Sequence, residues 1–348
     1  MIKYIGSKRL LLPRILEVVG RMRGVRTVLD AFSGTSRVGH ALKAAGYQVT
    51  ANDHNLYAAT LARCYVAADR RRVLREVERA LRDLASLPPR AGWFTETYCV
   101  QSRFFQPHNG ARVDAIRDAI AQRGYAPEVE AVLLVALMES ADRVDSTCGV
   151  QMAYLRNWAD RSFHELSLRL PGVLDGEGNA TQLDAAVAVA SGAWDLVYLD
   201  PPYNQHRYLG NYHIWESLVR WDRPEVYGVA CKRIDCREYK SPYNSKRAIH
   251  AAFADLVSRV RCRHLLVSFS DEGFVKREEM VGMLRELGRV RTIAVDFKRY
   301  VGAQIGIFNP EGEKVGTPGR LRNVEYLFLV SPRRAGNKGR EQVALFGD

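Results

Sequence analysis

One stretch, residues 27–53, constrains the fold more than any other. Thr27–Asp30 is a short apolar run that ends on a carboxylate. Ala31–Ser36 follows as a loop of mostly small residues, and Arg37–Ala45 then sets Val38, Leu42 and Ala45 on one helical face. Gly46 stands where that helix stops, and Gln48–Ala51 reads as a second strand leading into Asn52 and Asp53. Two strands joined by a helical crossover lie parallel. The unit therefore predicts a doubly wound α/β sheet, in which ligands sit beyond the carboxyl ends of the strands.

The rest of the chain divides by periodicity. From Leu56 to Leu170 the residues are rich in Arg, Ala, Leu and Glu, with helical spacing over Arg71–Leu87, Val113–Arg123 and Val129–Arg143 and a loop at Pro88–Gly92. The α/β pattern resumes at Trp194 with strands expected at Asp195–Leu199, His264–Phe269, Thr292–Phe297 and Asn323–Val330. The Gly- and Pro-rich stretch Gly302–Gly319 suits a long hairpin loop. These patterns divide the chain into a catalytic domain of residues 1–55 and 176–332, a mostly helical inserted lobe of residues 56–175, and a basic tail, 333–348.

Two loops carry chemistry. Asp200-Pro201-Pro202-Tyr203 follows the apolar run Leu196–Leu199 and so falls at the carboxyl end of a strand. The exocyclic amino group of a nucleobase is a poor nucleophile, because its lone pair is delocalised into the ring. A carboxylate and a backbone carbonyl accepting its N–H bonds draw the nitrogen toward tetrahedral geometry, and Asp200 and Pro201 offer those two acceptors. The prolines stiffen the loop that aims them, and Tyr203 offers a face on which a displaced base can stack. The bland alternative is a Pro-Pro turn capped by Asp. The second loop, Asp30-Ala31-Phe32-Ser33-Gly34, lets a nucleoside approach the backbone closely. Asp53, 23 positions after Asp30, suits a ribose diol, with a helix N-cap as its structural alternative. Gly34 is followed by Thr35, Ser36, Arg37 and Val38 before Gly39, so GxGxxG is absent and the loop suits a cofactor without a pyrophosphate. This disfavours a nicotinamide-dependent dehydrogenase.

Charge points to the partner. With 51 Lys+Arg against 39 Asp+Glu the net charge is +12, which favours a polyanion. Lys232, Arg233, Arg237, Lys240, Lys246 and Arg247, with Tyr239 and Tyr243 between them, form a segment suited to phosphate contacts, or equally a solvated basic loop. No CxxC pair occurs among the six cysteines, and Cys231, Cys236 and His250 are poorly spaced for zinc, so no metal is expected. The absence of a long apolar stretch and of an apolar leader at MIKYIGSKR predicts a cytoplasmic protein with no membrane partner.

Tyr4-Ile5-Gly6-Ser7-Lys8, Asp30-Ala31-Phe32-Ser33-Gly34, Asp53 and Asp200-Pro201-Pro202-Tyr203 together resemble the D12 class of adenine-N6 DNA methyltransferases, which includes the Dam enzymes and FokI-type modification methylases. His264–Gly273, Phe297–Tyr300 and Asn323–Phe328 are similar to that family's later strands, so the likeness runs in pieces over nearly the whole chain. The resemblance implies a Rossmann-like S-adenosylmethionine-dependent fold and site-specific methylation of a flipped-out adenine in double-stranded DNA. It implies the modification arm of a restriction-modification system, with a cognate restriction endonuclease as a further partner. By the same resemblance Tyr4 and Lys8 flank the methionine end of S-adenosylmethionine, with Lys8 on its carboxylate. Asp30, Phe32 and Gly34 line the cofactor loop, Asp53 holds the ribose, and Asp200–Tyr203 hold the adenine beside the cofactor. Asp184 is the acidic residue assigned to the cofactor's adenine, with helix capping as the alternative. Thr35-Ser36 departs from the second glycine common in relatives. The Asp-Pro-Pro-Tyr chemistry by itself also fits adenine in RNA or cytosine N4, and a nucleic-acid-binding module without catalysis is the alternative of another kind. The helical lobe is a candidate for target recognition.

Overall fold

The computed structural model describes residues 1–298, 307–308, 314–316 and 322–332. The strands are β1 (Thr27–Asp30), β2 (Gln48–Asn52), β3 (Asn179–Thr181), β4 (Trp194–Leu199), β5 (Val226–Tyr227), β6 (Lys232–Arg233), β7 (Cys262–Ser270), β8 (Gly288–Lys298), β9 (Ile307–Phe308), β10 (Lys314–Gly316) and β11 (Arg322–Pro332). Seven of them form one sheet in the order β3-β2-β1-β4-β7-β11-β8, while β5 with β6 and β9 with β10 make two short ribbons. The pairs from β3 to β7 are parallel, as the crossover at residues 27–53 requires. β11 is antiparallel to both β7 and β8. The expected strands are all present; β1 keeps its expected bounds and the others extend at one or both ends. β3 carries no periodic signal: Asn-Ala-Thr is too short to show alternation. The Gly302–Gly319 connection, apart from β9 and β10, and the tail 333–348 lie outside the described residues.

Alternation along the strands gives the sheet two buried faces. Val28, Val49, Leu196, Tyr198, Leu266 and Leu327 face one apolar cluster, and Leu29, Val197, Leu199, Val267 and Phe328 face another. The second face is covered by the helices Ala185–Ala190, Ile249–Ser258 and Arg277–Arg285. The first is covered by Leu12–Gly20, Arg37–Ala44 and the helices between Leu56 and Arg143, which share its buried cluster. Helices expected to begin at Val113 and Val129 begin at Pro107 and Pro127. Proline is pre-set for a first helical turn, so these helices start before their apolar pattern does. Pro127–Arg143 is buried almost all round, from Val129 to Asp142. Its length and the charged groups at its ends mark a core helix; among the described residues no helix is long and apolar enough to cross a membrane.

Candidate active site

Strand order reverses between β1 and β4, and a crevice opens at such a point beyond the strand ends. A cleft of about 1140 Å³, counted out to its open mouth, lies there. Its walls come from Tyr4–Lys8, the loop after β1, the ends of β2 and β4, residues 207–210 and residues 236–244.

The half built by β1 and β2 is held by backbone geometry. Asn52, buried at the end of β2, donates to the carbonyls of Ala31 and Leu183, and its own carbonyl accepts from Ser33 N–H. Asp53 accepts from Gly34 N–H at 3.0 Å and from Asn55 N–H at 3.0 Å. It therefore makes an Asx turn ahead of the next helix, whose N-cap position is Asn55, not Asp53. Burial raises the Asp53 carboxyl and these N–H donors work against the rise. Gly34 has φ +50°, and a Cβ there would meet the Tyr4 ring at 3.3 Å, so the loop requires glycine. Ser36 takes the left-handed conformation, φ 58°, that a glycine adopts more readily. Asp30 is buried, one oxygen accepting from Gly39 N–H at 3.1 Å and the other without a partner. Burial, with the charge of Asp200, pushes its carboxyl up to about 8, so it is neutral at pH 7.

Tyr4 stacks between Tyr208 and Tyr212, with ring centroids 5.3 and 4.5 Å away. Gly6 (φ +76°) gives the turn that brings Lys8 back into the cleft, and a Cβ on it would meet the Tyr208 hydroxyl at 3.0 Å. Asp200 leaves the end of β4 and faces Lys8, Nζ to Oδ1 at 3.0 Å. The same ammonium lies 3.5 Å from Glu325 of β11. Burial pushes the Asp200 carboxyl up to about 6; Lys8 opposes the rise and Glu325 adds to it. Burial disfavours the charge on Lys8, but the two carboxylates outweigh it and keep the ammonium protonated. Tyr203 packs on Phe269, and its carbonyl accepts from Phe274 N–H at 2.8 Å, which fixes the loop after the prolines. The amide of Asn244 donates to the carbonyls of Asn204 and His206 at 2.7 and 3.0 Å.

Tyr4, Lys8, Asp30, Phe32, Gly34, Asp53, Asp184, Asp200 and Pro202 thus line one cleft, although they are spread over almost 200 residues of chain. Pro201 is buried and Tyr203 half-buried, and neither is among the residues that line the cleft. Asp184 lines the cleft and also caps the helix Ala185–Ala190, accepting from Ala186 N–H at 2.8 Å. Lys8 faces Asp200 and Glu325 here, not only the space expected to hold a cofactor carboxylate. The basic segment is split. Lys240, Lys246, Arg247 and Arg237 are exposed, with Arg237 lying 3.8 Å over the Tyr227 ring, and Lys232 is half-buried. Arg233 is a correction: it is buried, gripping both oxygens of Asp222 at 2.7 Å and Asp235 at 3.0 Å, and it holds the β5–β6 ribbon instead of facing DNA. Tyr239 stacks on His54 and Tyr243 packs edge-on against Phe32, so both serve the cleft wall. Sequence reasoning missed Glu325, Asn244 and Tyr208. A charged residue inside the otherwise apolar strand at 324–330 was the available signal for Glu325.

A sheet whose last strand slots antiparallel between its neighbours, a nucleoside-sized cleft with no glycine triplet, and an Asp-Pro-Pro-Tyr loop at the adjoining strand end define an α/β methyltransferase acting on an amino group. Comparison with known proteins narrows this. A model of the D12 class N6 adenine-specific DNA methyltransferases matches residues 4–283, and the chain belongs to that family. It is 30% identical over 313 residues to the type II methyltransferase M.NlaIII of Neisseria lactamica, covering 85% of this chain and 92% of that protein. It is 27% identical over 319 residues to the modification methylase StsI of Streptococcus sanguinis and 29% identical over 317 residues to the type II methyltransferase M.FokI of Planomicrobium okeanokoites. The matches cover 86% and 84% of this chain but 48% of each of those two proteins, about half their length. A methyltransferase of this family requires a methyl donor, and the cleft residues fit one of nucleoside type. Asp53 stands at the end of β2, Phe32 forms a wall, and one oxygen of Asp30 and the Ser33 hydroxyl are buried polar atoms left over beside the loop.

Proposed function

We propose that the protein transfers the methyl group of S-adenosylmethionine to N6 of an adenine taken out of double-stranded DNA at a specific sequence. The observation that carries this is one cleft lined both by Asp200 and Pro202 of the Asp-Pro-Pro-Tyr loop and by the Asp53, Phe32 and Gly34 wall. Bound there, S-adenosylmethionine supplies a methyl group already activated on sulfur, so no acid catalyst is needed. Asp53 binds the ribose, Tyr4 and Phe32 border the donor, and Asp184 faces its base. Asp200 and the Pro201 carbonyl accept the two N–H bonds of the amino group and turn its lone pair toward the methyl carbon. Tyr203 stacks on the displaced base, and Lys8 keeps Asp200 ionised.

The helical region 56–175, together with Lys232, Arg237, Lys240, Lys246 and Arg247, forms the surface we assign to DNA, the lysines and arginines meeting phosphates. The name of the modification methylase StsI supports a role as the modification arm of a restriction-modification system. On this reading the protein works in the cytoplasm beside a cognate endonuclease. The test is incubation with labelled S-adenosylmethionine and unmethylated duplex DNA, followed by nucleoside analysis and sequencing of the modified positions. N6-methyladenine in one sequence context is expected. N4-methylcytosine, or label found in RNA alone, overturns the proposal.

A further inference from the structure

Glu325 stands on β11, a strand with neighbours on both sides: it pairs with Ser270 of β7 and Val295 of β8. Its side chain is 3% exposed, and the cation it faces is Lys8, itself 6% exposed. A carboxylate in a sheet interior is costly unless it is paired, and hydrophobic residues at such positions are often as stable or more so. Lys8 already has Asp200 at 3.0 Å, so neutralising Asp200 does not require a second carboxylate.

We propose that Glu325 is a positioning residue for methyl transfer: it holds Lys8 beside Asp200 and leaves the cluster of three with one net negative charge toward the target amino group. This rests on the function proposed above. The charge count gives the reason. As the N–C bond forms and the S–C bond breaks, its electron pair stays on sulfur. The positive charge passes to the amino nitrogen, which then loses a proton to Asp200 and on to solvent. Asp200 with Lys8 alone is neutral overall and offers that nitrogen little net stabilisation. With Glu325 the three groups sum to −1, while Lys8 still keeps Asp200 ionised. The titratable groups facing Asp200 are Lys8 from the N-terminal segment, Asp30 from β1, Tyr198 from β4, Tyr203 and Tyr208 from the loop and helix beyond it, and Glu325 from β11. Among them Glu325 contributes a negative charge through Lys8 without lining the cleft.

The experiment compares the full-length wild type with Glu325→Gln and Glu325→Asp, using tritiated S-adenosylmethionine and unmethylated plasmid DNA in single turnover from pH 5 to 9. Thermal melts and calorimetric affinities for S-adenosylhomocysteine accompany the rates. Glu325→Gln is expected to lower the methyl-transfer rate roughly 10-fold, a modest share of what removing a direct electrostatic stabiliser costs. Its affinities should stay within about twofold, and the acidic limb of its pH profile should move to lower pH, because a negative charge near Asp200 has gone. Glu325→Asp, which keeps the charge, should recover most of the rate. A Glu325→Gln enzyme with an unaltered rate overturns the inference. So does a slow one whose acidic limb has not moved, or one that Glu325→Asp fails to rescue. Wild-type enzyme that forms no N6-methyladenine refutes the proposed function instead, which keeps the two failures distinct.

Discussion

Arg233→Ala separates a DNA contact from a structural ion pair. Arg233 is 3% exposed and gives two 2.7 Å contacts to Asp222 and one of 3.0 Å to Asp235. Breaking a fully buried pair costs about 3–5 kcal/mol. Here the two carboxylates left behind are 39% and 33% exposed and rehydrate, so the cost falls to roughly 2–3 kcal/mol after that discount. Unfolding entropy scales with length, so at 348 residues each kcal/mol lowers Tm by about 1.5 °C, and the variant should melt roughly 3–5 °C lower, as scanning fluorimetry would read. DNA binding measured against salt should keep its slope, because no phosphate contact is lost. A phosphate-binding arginine would behave the other way, with Tm unchanged and the slope of log K against log[salt] shallower by about 0.9. That result would refute the placement of Arg233 in the β5–β6 ribbon.

Three further outcomes follow from the cleft. Asp200→Ala should lower methyl transfer by at least about 10²-fold while DNA retention on a filter persists, and turnover near wild type would mean that the amino group is held elsewhere. Methyl transfer should fail in acid: Asp200 has its carboxyl raised to about 6, so its acceptor form disappears as pH falls through that value. The transfer step should be about 10-fold slower at pH 5 than on its plateau, and a rate profile flat to pH 5 would contradict this. Gly34→Ala forces a side chain into φ +50° and against Tyr4, costing about 1 kcal/mol of strain and displacing the ring. Calorimetry should show S-adenosylhomocysteine bound several-fold more weakly, and unchanged affinity would show that the Gly34 loop does not touch the donor.

Much of this architecture is local and therefore legible along the chain. Thr27–Asp53 announces its strand, loop, helix and strand through apolar spacing and one glycine, and the fold has the unit within a residue at each end. Asp200-Pro201-Pro202-Tyr203 is legible for the same reason: contiguous residues on one rigid loop share a chemistry. Helix starts at Pro107 and Pro127 were less so, because a first turn depends on backbone φ rather than on an apolar stripe. Edge strand β3 had nothing to read, since its pairing with β2 lies in the backbone and not in its three side chains.

Charge was where local reading failed. In sequence, Arg233 looks like Lys240 and Arg247, and Lys8 looks like the start of a basic helix. Whether a cation faces solvent or a buried carboxylate depends on partners that the fold brings near. Arg233 meets Asp222, eleven residues earlier and ahead of β5, and Lys8 meets Asp200 from mid-chain and Glu325 from near the far end of the chain. By itself the sequence determined the parallel sheet and the two loops that follow β1 and β4, because periodicity and loop chemistry act over a few neighbouring residues. Only the tertiary structure decided which charges are paired, since Coulomb interactions and desolvation depend on distances in space that sequence separation does not encode.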